Sequence, residues 1–273
     1  MIPLKCPVCG KALTKNECTL RCERNHSFDL AKQGYVNLLM SNQSSKKRHG
    51  DDKLMVKARQ DFLNKGYYQP ILNGAVSFIK EVTPTSPVLL DAGCGECWYT
   101  HGLYCALQNA GFVPEILGVD ISKEALIFGA RRSKELQLAV ASVSNLPVMD
   151  ESVDILLNFF SPFTPEEYHR VLKKGSWFLR AVPMENHLFS LKKAVYDTPY
   201  RNDPVSLETD SFKIVKTMEI RDVIMLNTRE DIQNLFSMTP YYYKTGIKDQ
   251  EKLRTLSSLA TELEVQLVLY QKG

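Results

Sequence analysis

Cys6 and Cys9 stand two residues apart, and after twelve further residues come Cys22 and His26, with three residues between them. Each such pair can reach one metal from a tight turn. Three thiolates and an imidazole together make a closed, tetrahedral structural zinc site with no open position for catalysis. Gly10, directly after the first pair, eases a turn in which φ has to be positive. Cys18 competes for the site, but Cys18, Leu20 and Cys22 alternate as in a short strand, leaving His26 to complete the set. The alternative is a group of buried or free thiols. Seven cysteines, an odd number, speak against a disulfide framework. A segment this short has little core of its own, so metal binding supplies much of its folding free energy.

The second chemistry-bearing stretch is "LLDAGCGECWYTHGL" (Leu89 to Leu103). Asp91 precedes Gly93 and Gly95 at the end of an apolar run, and helical residues follow. A dinucleotide-binding turn wants a third Gly three residues after the second, where this chain has Trp98. A further acidic residue, Asp120 in "GVDIS", ends the next apolar run 25 residues after Gly95. Together these resemble the cofactor turn of class I S-adenosylmethionine-dependent methyltransferases. In such a turn the glycines admit the methionine portion of the cofactor and Asp120 accepts the ribose hydroxyls. "SVSNLPVMDESVD" (Ser142 to Asp154) is then the loop for the adenine edge, with Ser144, Asn145 and Leu146 as candidates beside the reading of a plain polar loop. "NFFSPF" (Asn158 to Phe163) falls where the acceptor is positioned, and its aromatic rings suit stacking on a flat base, although Phe159 and Phe160 equally suit a core.

These groups need a scaffold. Met55, Ala58, Phe62 and Leu63 recur at helical spacing, then Tyr67, Tyr68, Ile71 and Leu72, with Pro70 opening a second helix. Beyond them, apolar runs at Val88–Gly93, Ile116–Asp120, Leu138–Ser142, Val153–Phe160 and Trp177–Val182 alternate with helical segments, the pattern of a doubly wound α/β domain whose ligands sit at the carboxyl ends of the strands. Phe212–Leu226 and Leu263–Lys272 read as its last two strands, with the helix "REDIQNLFSM" between them.

At 273 residues the chain is long enough for one full α/β core and a smaller appendage. It has no apolar run of membrane-spanning length and no signal-peptide pattern, so the expectation is a cytoplasmic protein without a membrane partner. Net charge is only +3, but residues 1–60 hold twelve Lys and Arg against five Asp and Glu, including the run "KKRHG" (Lys46 to Gly50). That excess is either a solvated linker or a surface for a polyanion.

The zinc module, followed in order by "FDLAKQGYVNLL", "FLNKGYYQPI", "DAGCGECWYTHGL", "VPMENHL" and "LFSMTP", resembles the bacterial 23S ribosomal RNA (guanine-N1)-methyltransferases over essentially the whole chain. The resemblance implies a class I, Rossmann-like fold with a seven-stranded sheet and a small N-terminal zinc-binding domain. It implies zinc on Cys6, Cys9, Cys22 and His26, and S-adenosylmethionine contacts at Tyr68, Gly95, Glu96 and His187 beside Asp91, Gly93 and Asp120. The family's usual Gly is Cys97 here. The expected division is a zinc-binding, RNA-recognition module over 1–40, linker and helices over 41–80, and the methyltransferase domain over 81–273. The implied reaction is methylation of N1 of a guanine in the helix 35 hairpin of 23S RNA, with a homodimer as the family's assembly. Guanine N1 carries a proton that has to be removed or shared. Glu185, His187 and the strand-end carbonyls around Asn158 are the candidate acceptors. Two rival readings are a zinc-stabilised RNA-binding protein without catalysis and a small-molecule methyltransferase.

Overall fold

A computed structural model describes residues 2–40 and 50–273; Lys46, Lys47, Arg48 and His49 of the basic run lie outside the described residues. The zinc module is a four-stranded antiparallel sheet, β1 (Leu4–Lys5), β2 (Ala12–Asn16), β3 (Thr19–Cys22) and β4 (Ser27–Asp29), in that order. The body holds an eight-stranded sheet built from β5 (Tyr35–Asn37), β6 (Val88–Ala92), β7 (Glu115–Asp120), β8 (Gln137–Val140), β9 (Val153–Phe159), β10 (Leu172–Pro183), β11 (Phe212–Leu226) and β12 (Leu259–Lys272). Their spatial order is β11-β12-β10-β9-β6-β7-β8-β5. The strands from β10 to β5 run parallel, and β12 lies antiparallel between β10 and β11. Chain order reverses beside β6, which opens the crevice for a ligand at the carboxyl ends of β6, β7 and β9.

The sheet therefore has one strand more than the seven expected. The extra strand is β5, from the "GYVNLL" stretch, which as an apolar segment could pack beneath the zinc turns or against the next domain and does the latter; it pairs in parallel with β8 through Tyr35, Val36 and Asn37 opposite Leu138, Ala139 and Val140. Tyr35 and Val36 are buried, and an edge position on β8 is where the sheet offers them both backbone partners and apolar cover.

One face of the sheet is covered by helices in the usual way. These are α1 (Lys53–Asn64), α2 (Gln69–Val82), α3 (Trp98–Asn109), α4 (Lys123–Arg132), α6 (Phe189–Val195) and α7 (Arg229–Ser237), joined in one core through Phe62, Phe78, Leu107, Leu126, Leu191 and Phe236. Asp52, Ser122 and Thr228 cap α1, α4 and α7 with side-chain oxygens. The other face is covered by α5 (Pro165–Val171) and by the zinc module, whose Leu4, Leu13 and Leu20 share a core with Leu117, Val119 and Leu156 of the sheet. Polar clamps fix that docking. Gln137 exchanges two hydrogen bonds with the Ile2 backbone, at 3.0 and 3.1 Å, and the Lys5 amide donates to the Pro147 carbonyl at 2.9 Å.

Candidate cofactor cavity and metal centre

Cys6 and Cys9 flank the turn between β1 and β2, where Gly10 adopts φ +74° and its amide closes the turn on the Cys6 carbonyl. Cys22 ends β3, and a second turn through Asn25 at φ +63° brings His26 back beside it. The four ligand atoms lie within 4.8 Å of one another. Cys6 Sγ and Cys22 Sγ stand 3.6 and 3.4 Å from His26 Nδ1, and Cys9 Sγ stands 3.6 Å from Cys22 Sγ. A tetrahedron with zinc–sulfur bonds of about 2.3 Å has edges of about 3.8 Å, so the donor set fits the ion in spacing as in chemistry. Burial raises the Cys22 thiol. The amides of His26 and Arg24, with the Cys9 and His26 side chains, outweigh that and bring it to about 7. Cys18 is exposed in the turn before β3, outside the cluster. Lys15, Arg21 and Arg24 are exposed on the same module.

Across the chain, at the carboxyl ends of the strands, a cavity of about 860 Å³ opens beside Gly93 and Gly95. Gly93 sits at φ +90°, and a Cβ there would come within 2.6 Å of Ser161 Oγ; Gly95 sits at φ +55° with its amide donating to Asp120 Oδ2 at 2.8 Å. The turn thus needs both glycines, one for close approach and both for the left-handed backbone. Cys97, where the resemblance leads one to expect Gly, is likewise at φ +65°. Its thiol is fully buried against Gly129 of α4 and does not line the cavity.

Asp91, at the end of β6, lines the cavity and is 1% exposed. Burial, with a smaller push from the Asp120 carboxylate, lifts it to about 7 against the opposing hydrogen bond from Thr100, which is 2.6 Å long. Asp120 is raised as well, first by burial, while the Ser122 and Gly95 amides donate to its two oxygens and hold it down. Glu96 is buried, with one oxygen bound to Arg132 and Oε1 without a partner among the described residues; the buried Tyr99 hydroxyl is in the same state. Both residues line the cavity. Two unpaired buried polar atoms beside an acidic, glycine-lined turn fit a polar, cationic ligand of S-adenosylmethionine's size.

Tyr68 and His187 meet over this cavity, although 119 residues separate them. The Glu264 amide donates to His187 Nδ1 at 3.3 Å, so the neutral ring carries its proton on Nε2, facing the Tyr68 hydroxyl oxygen at 3.3 Å. That leaves the Tyr68 hydrogen free to donate elsewhere. Burial, aided by the Lys192 ammonium, pushes His187 down to about 3, and burial keeps the Tyr68 phenol protonated.

Asn158 is buried at the end of β9 and lines the cavity. Its amide nitrogen reaches Ser161 Oγ at 2.6 Å and Tyr168 Oη at 2.8 Å, tying down the loop that follows. Within that loop the two phenylalanines part. Phe159 is buried on Tyr99, whereas Phe160 is 42% exposed at φ +55° and stacks at 14° on the His187 ring. A bulky side chain held in the left-handed region is backbone strain of the kind kept at functional sites.

Three expected residues do not reach the cavity. Ser142, Val143 and Ser144 line it, but Asn145 points to solvent and Leu146 is buried in the opposite core, its amide held by Glu167 at 2.8 Å. Glu185 is exposed in the turn after β10, away from the cavity. Conversely, Asp51, Arg59, Arg180 and Tyr241 line the cavity without a motif to mark them. "LFSMTP" directly precedes Tyr241, and its Met238 carbonyl accepts from Arg59 at 3.2 Å.

A family profile described as "RlmA, N-terminal" matches residues 4–47, and one described as "Methyltransferase domain" matches residues 90–179. A Streptomyces fradiae protein named 23S rRNA (guanine(748)-N(1))-methyltransferase is 34% identical over 197 residues, covering 70% of this chain and 67% of the relative. The chain belongs to the 23S rRNA (guanine-N1)-methyltransferase family. A Micromonospora griseorubida protein named as a candidate member is 34% identical over 210 residues, covering 69% of this chain and 68% of that one. A Bacillus subtilis candidate, YxjB, is 27% identical over 280 residues, covering 98% and 96%. As a member of this family the chain is an S-adenosylmethionine-dependent methyltransferase of class I fold with an N-terminal zinc ribbon. Among the described residues no helix is long and apolar enough to cross a membrane.

Proposed function

We propose that this chain methylates N1 of a guanine in the helix 35 hairpin of 23S ribosomal RNA. The observation that carries the reading is the union of two sites in one chain: a four-ligand zinc centre on an exposed basic module, and an aromatic-rimmed cavity behind a glycine turn. A relative that matches 98% of the chain, and so spans both, is named for guanine N1.

When bound, S-adenosylmethionine supplies a methyl group made electrophilic by its sulfonium. The chain supplies positioning and exclusion of water. Asp91, Gly93, Gly95, Glu96 and Asp120 hold the cofactor together with the Tyr68 hydroxyl, and His187 fixes that hydroxyl's orientation. A histidine kept neutral, with both ring nitrogens engaged, is a positioning residue for Tyr68 and a poor proton acceptor. Guanine N1 lies on the Watson–Crick edge, so the base has to be unpaired or flipped out, and the exposed Phe160 ring offers it a stacking face. Asn158 sets that ring in place through the loop it ties down, where it donates to the Ser161 and Pro162 carbonyls.

Cys6, Cys9, Cys22 and His26 hold zinc, and the exposed Lys15, Arg21 and Arg24 of that module face the RNA phosphates. In this reading 1–40 is the RNA-recognition module, 41–80 the linker and first helices, and 81–273 the catalytic domain, with β5 as the strap between module and sheet. The enzyme acts in the cytoplasm, on ribosomal RNA, as a homodimer. Primer extension on 23S RNA treated with enzyme and cofactor tests the reading, since a methyl on N1 blocks pairing. A new stop in helix 35 is expected, and its absence defeats the proposal.

A further inference from the structure

Two arginines line the cavity, and they differ in charge balance. Arg59 lies at the cofactor turn, where its Nη1 stands 3.6 Å from the position a Gly95 Cβ would take, and it is neutralised by Asp51. Arg180 has no carboxylate partner among the described residues. Its Nε is buried without a hydrogen bond, and its guanidinium lies 4.3 Å above the Phe163 ring. Phe163 is itself stacked on Phe178 at 3°, so the guanidinium rests on a rigid platform. The Tyr270 hydroxyl, which donates to the Leu207 carbonyl at 2.8 Å, is its polar neighbour in the core. Across the parallel register Arg180 pairs with Asn158, the residue that ties down the Phe160 loop. An uncompensated, half-dry guanidinium is costly unless a ligand supplies negative charge.

We infer that Arg180 donates to O6 of the target guanine and stabilises the base as its N1 proton leaves; this rests on the guanine-N1 reading above. The N1 proton passes to solvent water, and the remaining negative charge is shared between N1 and O6. The N1 lone pair then bonds to the methyl carbon as the carbon–sulfur bond breaks and its electron pair returns to sulfur. A proton and a neutral thioether are the by-products. A fixed cation at O6 raises the fraction of deprotonated base and costs no reorganisation during transfer. Arg180 lines the cavity in register with Asn158, beside the acceptor loop, a place for a flipped base rather than a backbone phosphate, and Arg59 stands at the cofactor turn instead.

The test is single-turnover methylation of a helix 35 RNA by the zinc-loaded full chain, between about pH 6 and 9, for the wild type, Arg180→Gln and Arg180→Lys. Binding of S-adenosylmethionine and of RNA is measured alongside. Arg180→Gln is expected to slow turnover about 100-fold near pH 7, with its rate still rising at a pH where the wild type has levelled off and with both affinities within about threefold. Arg180→Lys, which keeps the cation and guards against a folding defect in the other variant, is expected to fall between them with the wild-type pH limb. The inference is overturned if cofactor affinity falls in step with the rate, as for a contact to the cofactor carboxylate. It is equally overturned if RNA affinity falls and its salt slope drops by about one with an unchanged pH profile, as for a phosphate contact. Unaltered turnover of Arg180→Gln sinks this inference alone, whereas a wild type that leaves guanine N1 unmethylated sinks the substrate reading and this inference with it.

Discussion

Lowering the pH from about 8 to about 5.5 should weaken S-adenosylmethionine binding about 30-fold through Asp91. The carboxyl is buried at the end of β6, and burial lifts it to about 7 even with Thr100 donating to it. A group that ionises near 7 is about 90% carboxylate at pH 8 and about 3% at pH 5.5. If the carboxylate form alone pairs with the cofactor's positive charge, affinity follows that fraction. His187, held near 3, stays neutral throughout, and Asp120 and Glu96, both raised by burial, can only steepen the acid limb. Titration calorimetry in two buffers of different ionisation enthalpy should find about half a proton released per cofactor near pH 7, and Asp91→Asn should abolish both the release and most of the pH dependence. The stability of the ligand-free protein should slope the other way. A carboxyl whose folded value is raised adds most below its unfolded value of about 4, and that contribution is lost as the pH rises through about 7. An affinity that is flat from about pH 5.5 to 8, or proton uptake on binding, would refute the assignment of Asp91 to the cofactor.

Three further outcomes are expected. Cys22→Ser should release zinc and lower the melting temperature by several degrees, because the module contributes Leu4, Leu13 and Leu20 to the core under the sheet, whereas Cys18→Ser should retain one zinc per chain by metal analysis. Gly93→Ala should cost about 3 kcal/mol, read by urea unfolding. About 1–2 of this comes from a left-handed backbone carrying a Cβ, and the rest from displacing Ser161, whose hydroxyl donates to the Ala92 carbonyl at 2.5 Å. Phe160→Gly should relieve the strain at φ +55° and leave stability unchanged or about 1 kcal/mol higher, while RNA methylation falls at least about tenfold through lost stacking. Equal loss of stability and turnover in that variant would make Phe160 an ordinary packing residue.

How much could be read in advance depended on how local the determinants are. The zinc ligands come from two tight turns, each closed by its own backbone hydrogen bonds, so their spacing carries their geometry. The same holds for Asp91, Gly93 and Gly95, where strand end, turn and helix start are contiguous. Side chains beyond a strand end were less predictable, because the direction of one loop residue depends on its next tertiary contact. Glu167 and the lower core draw Leu146 away from the cavity, and the turn after β10 leaves Glu185 in water. Arg59, Arg180 and Tyr241 reach the cavity from three distant segments, and no local pattern announces a meeting of that kind. The eighth strand escaped notice for a related reason. Tyr35 and Val36 are apolar enough for several partners, and the long-range register on β8 decides among them. The resemblance assigned "GYYQP" and "ENHL" to one cofactor, and Tyr68 and His187 do share one hydrogen bond across 119 residues.

A zinc-borne RNA-binding module and an S-adenosylmethionine cavity in this one chain should together act on guanine N1. Nuclease mapping with mass spectrometry of 23S RNA, incubated with the zinc-loaded enzyme and isotopically labelled cofactor, tests it most directly. Labelled 1-methylguanosine is expected in the fragment that contains helix 35 and in no other. Label at another position of guanine, on another base, or in RNA outside that hairpin would contradict it.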